Sequence, residues 1–382
     1  MVRSIADVAP GAWDALDHGG SPFLRHGFLS ALEETGSIGG GSGWQPRYLV
    51  IGGERGAPIA GAVAAFVKDH SYGEFIFDWE WARASERAGL RYYPKLVIAA
   101  PVTPATGPRL LLPPGAPPDQ RRRAAAALVS GARRLAADEG CSGIHVLFCT
   151  GEEQALLAEL GLAPRASFQF HWHNRGYRDF ADFLAAMSSR RRKQARKERE
   201  RARAAVDSID LVLARELPPA ELATMDRLYR RNVDAHWGTA YLEPGFFERL
   251  VERMPASVLV ARARAGGRMV AGALFLEGER GLYGRYWGAE VDIPNLHFEM
   301  CVWLPIERCI ERGAPLYEAG AQGGHKLLRG LEPSPTYSAH LLFHPALDRA
   351  VRRALEEEAL AVEHHMRRIA AVGPFKASEE ST

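Results

Sequence analysis

The chain has 382 residues, of which 47% are hydrophobic and 25% are charged, and its formal net charge is +2. This composition excludes global disorder, and the small net charge means that any polyanionic partner must be bound by a local basic patch. The length exceeds what one ordinary core organises, so we expect two domains.

The cysteines and the N-terminus bear on the compartment. The sequence has four cysteines and no C-x-x-C spacing, which favours buried, reduced thiols. The first residues, MVRSIADVAPGAWDAL, contain no apolar signal region, and no uncharged run is long enough to cross a bilayer. We therefore expect a cytoplasmic protein without membrane insertion.

Apolar periodicity and turn signals divide the first half into short helices and strands. A Pro-rich stretch at 101–118 is expected to be a loop. The predicted elements are a helix at 27–35, a hairpin at 47–51 and 59–68, a strand at 96–100, a helix at 120–139, a strand at 144–148, a helix at 152–160 and a strand at 168–172.

The second half repeats this order of helix, hairpin, strand, helix and strand. The predicted elements are helices at 217–234 and 244–254, a hairpin at 258–263 and 269–276, strands at 282–287 and 316–318, a helix at 296–311, a strand at 340–343 and a closing helix at 345–369. The matched order predicts an α+β domain duplicated in tandem.

A strongly basic segment, 187–206, lies between the halves and contains SSRRRKQARKERERARA. It has no Gly or Pro and is rich in helix formers, so it is predicted to be a helix. At helical spacing, one stripe holds Arg192, Arg196, Arg199 and Arg203, and a second holds Arg190, Lys193, Lys197 and Arg201. The charge pattern fits a solvated surface helix as well as a platform for phosphates.

The segment 282–326 has the features of a functional site. An aromatic strand is followed by an apolar helix, and a second strand ends at Glu318 immediately before a glycine-rich loop at 320–324 and His325-Lys326. Glycines allow the backbone to approach a ligand closely, and polar side chains at strand ends are well placed for binding. A surface or capping role for Glu318 and a structural role for His325 fit the sequence as well.

Several strings in this chain resemble Fem-type proteins. They are HSYGEFIFDWEWA, RAGLRYYPKLVIAAPVTPATGPRLL, SSRRRKQARKERE, LYGRYWGAE, LHFEMC and EAGAQGGHKLLRG, and they extend from about residue 70 to residue 330. The chain resembles the Fem-type aminoacyltransferases, and within them a largely uncharacterised branch that carries the EAGAQG-HK motif. Fem-type enzymes have tandem GNAT (acyl-CoA N-acyltransferase) folds and transfer an amino acid from aminoacyl-tRNA to an amine of a peptidoglycan precursor.

The resemblance implies an α+β fold of two GNAT-like domains, 1–177 and 178–382, the second including the basic helix, with an acceptor cleft between them. It implies an aminoacyltransferase that needs no cofactor, with aminoacyl-tRNA as donor and an amine, on a peptidoglycan precursor or a small-molecule or peptide metabolite, as acceptor. Two alternatives stay open: an N-acyltransferase that uses acyl-CoA, and a GNAT-fold binding protein without catalysis. The turn at 288–292 contains two acidic residues that would repel the pyrophosphate of acyl-CoA.

The candidate site residues follow from the motifs and the resemblance together. Glu318 and His325 are the candidates for binding or deprotonating the acceptor amine. The candidate substrate-binding residues are Tyr72, Glu74, Asp78, Tyr92, Lys95, Tyr283, Arg285, Trp287, His297, Glu299, Gln322, Lys326 and Arg329. The candidate tRNA-binding residues are Arg192, Lys193, Arg196, Lys197, Arg199 and Arg203.

Two local features complete the sequence-based expectations. Pro305 interrupts the predicted helix 296–311, where a kink is expected because proline lacks an N–H and its ring clashes with the preceding turn. His171 and His173 share one face of a strand, but no third ligand is evident, so no metal site is expected.

Overall fold

The computed structural model describes residues 1–53, 57–235, 238–320 and 323–376. The chain forms two compact units: unit 1 comprises Met1–Ser167, Tyr241–Glu243 and Pro335–His364, and unit 2 comprises Phe168–Ala240, Pro244–Ser334 and His365–Thr382. The two domains predicted from the sequence, 1–177 and 178–382, are each continuous in sequence. In the structure, unit 1 also includes Tyr241–Glu243 and Pro335–His364, which come from the second half of the chain.

Helices and short strands alternate along the described chain. The helices are α1 (Pro10–Asp14), α2 (His26–Glu34), α3 (Trp79–Arg87), α4 (Pro118–Asp138), α5 (Gly151–Glu159), α6 (Phe180–Ala186), α7 (Ser189–Ala204), α8 (Pro219–Ala235), α9 (Phe246–Arg253), α10 (Leu296–Phe298), α11 (Leu304–Glu311) and α12 (Pro345–Ala370). The strands are β1 (Gln45–Gly52), β2 (Ile59–Lys68), β3 (Lys95–Ile98), β4 (Gly143–Cys149), β5 (Ala163–His173), β6 (Ser208–Leu213), β7 (Val258–Ala265), β8 (Arg268–Gly278), β9 (Gly281–Ala289), β10 (Leu316–Glu318) and β11 (Glu332–Leu342).

Unit 1 is built on a mixed sheet in the order β1-β2-β3-β4, with residues 337–342 of β11 antiparallel to β4. Strands β3 and β4 are parallel, and the other neighbours are antiparallel. Helix α4 contributes Leu128, Val129 and Ala132 to the core beneath these strands. These residues recur at helical spacing, which explains why an Ala/Arg-rich segment buries one face and leaves its arginines outside.

Unit 2 has the strand order β5-β10-β9-β8-β7-β6. The short strand β10 lies between β5, to which it is antiparallel, and β9, to which it is parallel. This pairing puts Glu318 opposite His171 on one side and Tyr283 on the other. The last residue of β10 is therefore fixed by backbone pairing with both neighbours.

A β-bulge interrupts β9 next to Glu318. Phe275 of β8 pairs with Gly284, and the preceding residue, Leu274, pairs with Tyr286, so Arg285 has no opposite residue. The bulge breaks the regular alternation expected for Tyr283 and Arg285. Bulges re-aim side chains, and this one turns Arg285 toward the end of β10.

The helix predicted at 296–311 is divided into three parts. α10 leads into a π-helical turn, Glu299–Trp303, and α11 begins at the residue before Pro305. Because Pro305 has no N–H, it cannot donate to the carbonyl of Cys301 four residues earlier. The hydroxyl of Tyr317, on β10, donates to this carbonyl at 2.5 Å. Strand β10 thus compensates for the proline and fixes the π-helical turn.

Most predicted elements are present, with some differences. Helices α1, α3 and α6 and strand β6 were not predicted, and β5 and β11 are longer than expected. Gly288 and Ala289 belong to β9 and not to the predicted turn at 288–292. At Gly288 a Cβ would lie 2.2 Å from the carbonyl oxygen of Leu228, so glycine allows α8 to pack closely against this strand.

We predict that Tyr317→Phe lowers the free energy of unfolding by about 1–2 kcal/mol, because the Cys301 carbonyl loses its hydroxyl donor in a buried turn. Urea denaturation measures the change. Tyr337→Phe is the matched control, since the described structure records no hydrogen bond for the Tyr337 hydroxyl. Equal stability of the two variants would contradict the role assigned to Tyr317.

Candidate functional site

Two adjoining hollows in unit 2, of about 140 Å³ and 170 Å³, form the candidate pocket. Both are lined by His297, Cys301 and Ala319. Arg285 and Trp287 belong to the first hollow, and His325 and Lys326 belong to the second. The structure therefore brings together five of the predicted site residues: Arg285, Trp287, His297, His325 and Lys326.

Glu318 lies beside this pocket and is 2% exposed. Nη2 of Arg285 is 3.4 Å from Oε2 of Glu318, and Nη1 of Arg285 donates to the carbonyl of Gly284 at 2.8 Å. The pair follows from the bulge in β9 and the parallel pairing of β9 with β10. The pair makes Glu318 a hydrogen-bond acceptor in a largely dry environment beside the pocket.

Lys326 supplies a cation to the same pocket. It is 6% exposed, and its Nζ donates to the carbonyls of Ala319 at 2.6 Å and Gly320 at 2.9 Å. Burial lowers the pKa of Lys326 to about 8, and the charge of Arg285 acts in the same direction while Cys301 opposes it. An ammonium group has three N–H bonds, and its contacts with the described residues use two of them, which leaves one donor for a ligand within that part of the chain.

Burial lowers the pKa of both imidazoles at the pocket, His297 and His325. Burial, with the charges of His325, Lys326 and Arg329, lowers the pKa of His297 to about 4. Burial also lowers the pKa of His325, and Lys326 and Arg329 contribute to that decrease. The two rings have centroids 6.0 Å apart. A neutral imidazole accepts a proton, so His325, which is exposed at the pocket, has the properties of a base.

The aromatic candidates on β9 have different positions. The Trp287 ring lies 5.2 Å from the His297 ring, in an edge-on arrangement, and lines the pocket. Tyr283 is 3% exposed and is not a lining residue, and the Arg285 guanidinium lies 5.5 Å from its ring centroid. Tyr283 therefore packs near the Arg285 guanidinium and does not contact the pocket itself. Gln322 lies outside the described residues.

Two candidates have structural contacts instead of lining the pocket. Glu299 is fully buried and accepts hydrogen bonds from Arg199 and Arg203 of α7. Arg329, a candidate substrate-binding residue, is 7% exposed and forms a two-bonded pair with Glu198, so its guanidinium is occupied by this carboxylate. Both residues join α7 to the segments that carry pocket residues.

Helix α7 has an inner and an outer face. Its inner face buries Ala195, Glu198 and Ala202, which recur at helical spacing. Arg199 and Arg203, predicted to contact tRNA, are neutralised by Glu299, and Arg199 also contacts Glu307 at 2.5 Å. That expectation is corrected: these two arginines are occupied within unit 2.

The outer face of α7 keeps its cations in solvent. On α7, five exposed basic residues have no ion pair with the described residues: Arg190, Lys193, Arg196, Lys197 and Arg201. At 100° per residue, four of them, Arg190, Lys193, Lys197 and Arg201, lie opposite the buried Ala195 and Ala202. Arg192, another candidate, is half-buried near the start of the helix, where its Nη1 lies 3.5 Å from the carbonyl of Met187.

The first-half candidates form a buried polar cluster in unit 1. Nζ of Lys95, which is fully buried, donates to Ser71 at 2.8 Å, to Glu74 at 2.7 Å and to Asp78. The Tyr92 hydroxyl donates to Asp78 at 2.6 Å. These groups bind one another and fix the segment between β2 and α3. Among the five candidates of this half, Tyr72 alone has a largely exposed side chain, at 60%.

No group of three or more His, Cys, Asp or Glu residues suited to a metal ion is present in the parts of the chain that the structure describes. No described helix is both long enough and apolar enough to cross a membrane. His171 is buried and contacts the Gln169 amide oxygen at 3.2 Å.

Sequence reasoning missed three residues that shape the pocket. Tyr286 and Cys301 line it, and Tyr317 both lines it and fixes the π-helical turn. Tyr286 and Tyr317 lie on strands that were predicted, so the strand pattern gave a signal for both. No sequence pattern indicated that Cys301 lines the pocket, because its position in the pocket wall depends on the π-helical turn.

We predict that Asp78→Asn lowers the free energy of unfolding at pH 7 by at least about 2 kcal/mol. Burial by itself would raise the pKa of Asp78, but the charge of Lys95 and the hydrogen bonds from Lys95 and Ser71 lower it from 3.8 to about 2. A carboxyl whose pKa is lower in the folded state stabilises the fold above pH 3.8, and this stabilisation is lost as pH falls toward 2.

Urea denaturation between pH 2 and pH 7 measures this effect. The variant is expected to lose stability at pH 7 and to show a weaker decrease between about pH 4 and pH 2. Asp138→Asn, at an exposed carboxylate in the same unit, is the matched control. An unchanged pH dependence in Asp78→Asn would contradict the assignment.

Comparison with solved structures shows the fold. The crystal structure of FemX is similar to 92% of this chain and covers 99% of its own, at 11% identity and a TM-score of 0.54. The C-terminal domain of a putative lysylphosphatidylglycerol synthetase from Agrobacterium fabrum is similar over 81% of this chain and 88% of its own, at 11% identity and a TM-score of 0.51. The predicted α+β class is confirmed by the mixed sheet and its flanking helices, whereas the tandem GNAT-like arrangement stays a prediction. None of the curated proteins matches the chain.

The family comparison extends over almost the whole sequence. Residues 4–377 match the model of the FemAB-like family, which is described as peptidoglycan biosynthesis and recognition. The match includes both compact units, the pocket and the basic helix. The Fem-like membership expected from the sequence is confirmed, whereas assignment to the EAGAQG-HK branch stays a prediction. The chain belongs to the FemAB-like family.

Proposed function

We propose that this protein transfers an aminoacyl group from aminoacyl-tRNA to an amine, on a peptidoglycan precursor or on a small-molecule or peptide metabolite. The observation that carries the proposal is the pocket of unit 2, where the Glu318–Arg285 pair, Lys326 and a neutral His325 lie close together. The same unit carries a helix with a row of exposed cations, and the family membership supports aminoacyl transfer.

The reaction makes one bond and breaks one. The acceptor nitrogen attacks the ester carbonyl carbon, an amide forms, and the ester bond to the tRNA ribose breaks. One proton leaves the amine and one proton is delivered to the ribose hydroxyl. The site therefore has to accept a proton, stabilise the oxyanion of the tetrahedral intermediate and hold both substrates.

Glu318 and His325 are the groups proposed to handle the proton. Glu318 presents its carboxyl group beside Arg285 and is proposed to accept a hydrogen bond from the amine. His325 is neutral because burial and neighbouring cations lower its pKa. Either group is able to take the proton, and their separate substitution decides between them.

Lys326 is proposed to stabilise the oxyanion. Its ammonium group is held by the carbonyls of Ala319 and Gly320, which fixes its position at the second hollow. In a buried pocket, a fixed positive charge stabilises a developing negative charge more strongly than it does in water. The half-buried thiol of Cys301 is a poor alternative nucleophile, since loss of hydration raises its pKa.

The outer face of α7 is proposed to hold the phosphates of the tRNA acceptor stem. Of the six predicted contacts, Lys193, Arg196 and Lys197 are exposed and available, and Arg190 and Arg201 extend the row. A row of cations at helical spacing binds phosphates without reading sequence. In unit 1, the exposed Tyr72 is proposed to contact the acceptor substrate.

We predict that Glu318→Gln lowers kcat for transfer of a radiolabelled amino acid from charged tRNA about 100-fold or more, the usual contribution of a positioned proton acceptor. Glu311→Gln, at an exposed carboxylate in unit 2, is the matched control and keeps activity. His325→Asn is measured in parallel, and the variant with the larger loss identifies the base.

The alternatives give different outcomes in the same assay. Release of free thiol from acetyl-CoA, without transfer from charged tRNA, would assign the acyl-CoA donor instead. Binding of tRNA or of the acceptor without turnover of either donor would indicate a binding protein. Full activity of both Glu318→Gln and His325→Asn would overturn the proposed chemistry.

We predict that Lys193→Gln/Lys197→Gln weakens tRNA binding and lowers the slope of log affinity against log salt by about 1.5, since each lost phosphate contact removes about 0.7–0.9. Filter binding at several salt concentrations measures the slope. Arg121→Gln/Arg123→Gln removes two exposed charges from α4 and is the matched control. Equal effects of the two double variants would show that the outer face of α7 is not the docking surface.

A further inference from the structure

The Glu198 carboxylate, on the inner face of α7, accepts hydrogen bonds from four N–H donors of three other residues. Its side chain is 9% exposed. It accepts hydrogen bonds from Nε of Arg329 at 3.0 Å and from Nη2 of Arg329 at 2.7 Å. The indole Nε1 of Trp303 lies 3.3 Å away, and Nε2 of Gln194 lies 3.1 Å away. Four N–H groups therefore converge on one carboxylate.

Two of these donors belong to the segments that form the pocket wall. Trp303 ends the π-helical turn that contains Cys301, which lines both hollows. Arg329 ends a 3-10 turn, Gly324–Arg329, that carries His325 and Lys326. Glu198 thus joins the two segments at a point behind the pocket, and it joins both to α7.

Arg329 passes this restraint on to His325. Its Nη1 donates to the carbonyl of His325 at 2.9 Å, and its guanidinium lies 3.3 Å from the ring centroid of Phe298. A planar guanidinium held on a carboxylate by two parallel hydrogen bonds has one orientation. The His325 carbonyl, and with it the backbone that leads to Lys326, is therefore fixed by Glu198 through Arg329.

We infer that Glu198 is a positioning residue for the pocket: it holds the His325–Lys326 turn and the Cys301 turn in place from the basic helix. Its catalytic consequence rests on the proposed function, whereas its effect on pocket geometry does not. A helix held by phosphates on its outer face would, through this carboxylate, also hold the reactive groups.

Cys301 provides a readout of pocket geometry that is independent of activity. It is half-buried at the pocket wall, whereas Cys141, Cys149 and Cys309 are buried. Alkylation by N-ethylmaleimide at fixed pH therefore reports how often the wall opens, and Cys301→Ser measures the background from the other thiols. We expect Glu198→Gln, which loses the charge that holds Arg329, to raise the Cys301 alkylation rate about fivefold or more.

The matched control is Glu200→Gln. This exposed carboxylate is on the same helix, so its substitution changes the charge of α7 equally and should leave the alkylation rate unchanged. Arg329→Lys and Trp303→Phe each remove part of the network from the other side, and we expect intermediate increases. If far-UV circular dichroism shows that Glu198→Gln does not fold, the Cys301 alkylation rates of these two variants test the positioning role instead.

Transfer kinetics add a second readout. In the charged-tRNA assay, Glu198→Gln is expected to lower kcat while KM for tRNA changes less than twofold, because the outer face of α7 is intact. Alkylation rates in folded variants of Glu198, Arg329 and Trp303 that equal that of the unsubstituted protein would overturn the inference. A faster alkylation without any transfer activity, even in the unsubstituted protein, would leave the positioning role standing and reject the proposed function.

Discussion

The ion pairs between guanidinium groups and two buried carboxylates are the interactions on which unit 2 depends. A helix as basic as α7 would repel itself and stay in solvent unless some of its charge were neutralised. Glu299 accepts hydrogen bonds from Arg199 and Arg203, and Glu198 binds Arg329. Buried charges are tolerated only when they are paired and hydrogen-bonded, so these contacts fix the rotation of α7 about its axis. That rotation decides which cations reach solvent.

Local departures from regular structure build the pocket next to this helix. The bulge in β9 directs Arg285 to Glu318, and the π-helical turn puts Cys301 into the wall. Each departure has an identifiable compensation: Arg285 pairs with the end of β10, and the Tyr317 hydroxyl replaces the N–H that Pro305 lacks. Because β10 supplies both compensating residues, a strand of three residues organises the site. Bulges and π-helical turns are common where proteins position functional groups.

The two units use buried charge differently. In unit 1, Lys95, Glu74 and Asp78 bind one another and hold a connecting segment. In unit 2, the pocket contains Arg285 and Lys326 against Glu318, and its imidazoles are neutral because burial lowers their pKa values. An excess of positive charge in a small, partly dry cavity favours an anionic or strongly polarised ligand group. This contrast is the basis for proposing unit 2, and not unit 1, as the unit that binds such a group.

The sequence by itself determined the α+β class, the repeated order of elements, the strand that ends at Glu318 and the helical nature of 187–206. These features follow from local periodicity, propensity and turn residues, all of which act over a few positions. Only the tertiary structure decided that Arg199, Arg203 and Arg329 are neutralised, that Glu299 is an anchor, and that Cys301 and Tyr317 belong to the pocket. Charge pairing and packing join residues about a hundred positions apart, as Arg199 and Glu299 show, and no local pattern specifies such partners.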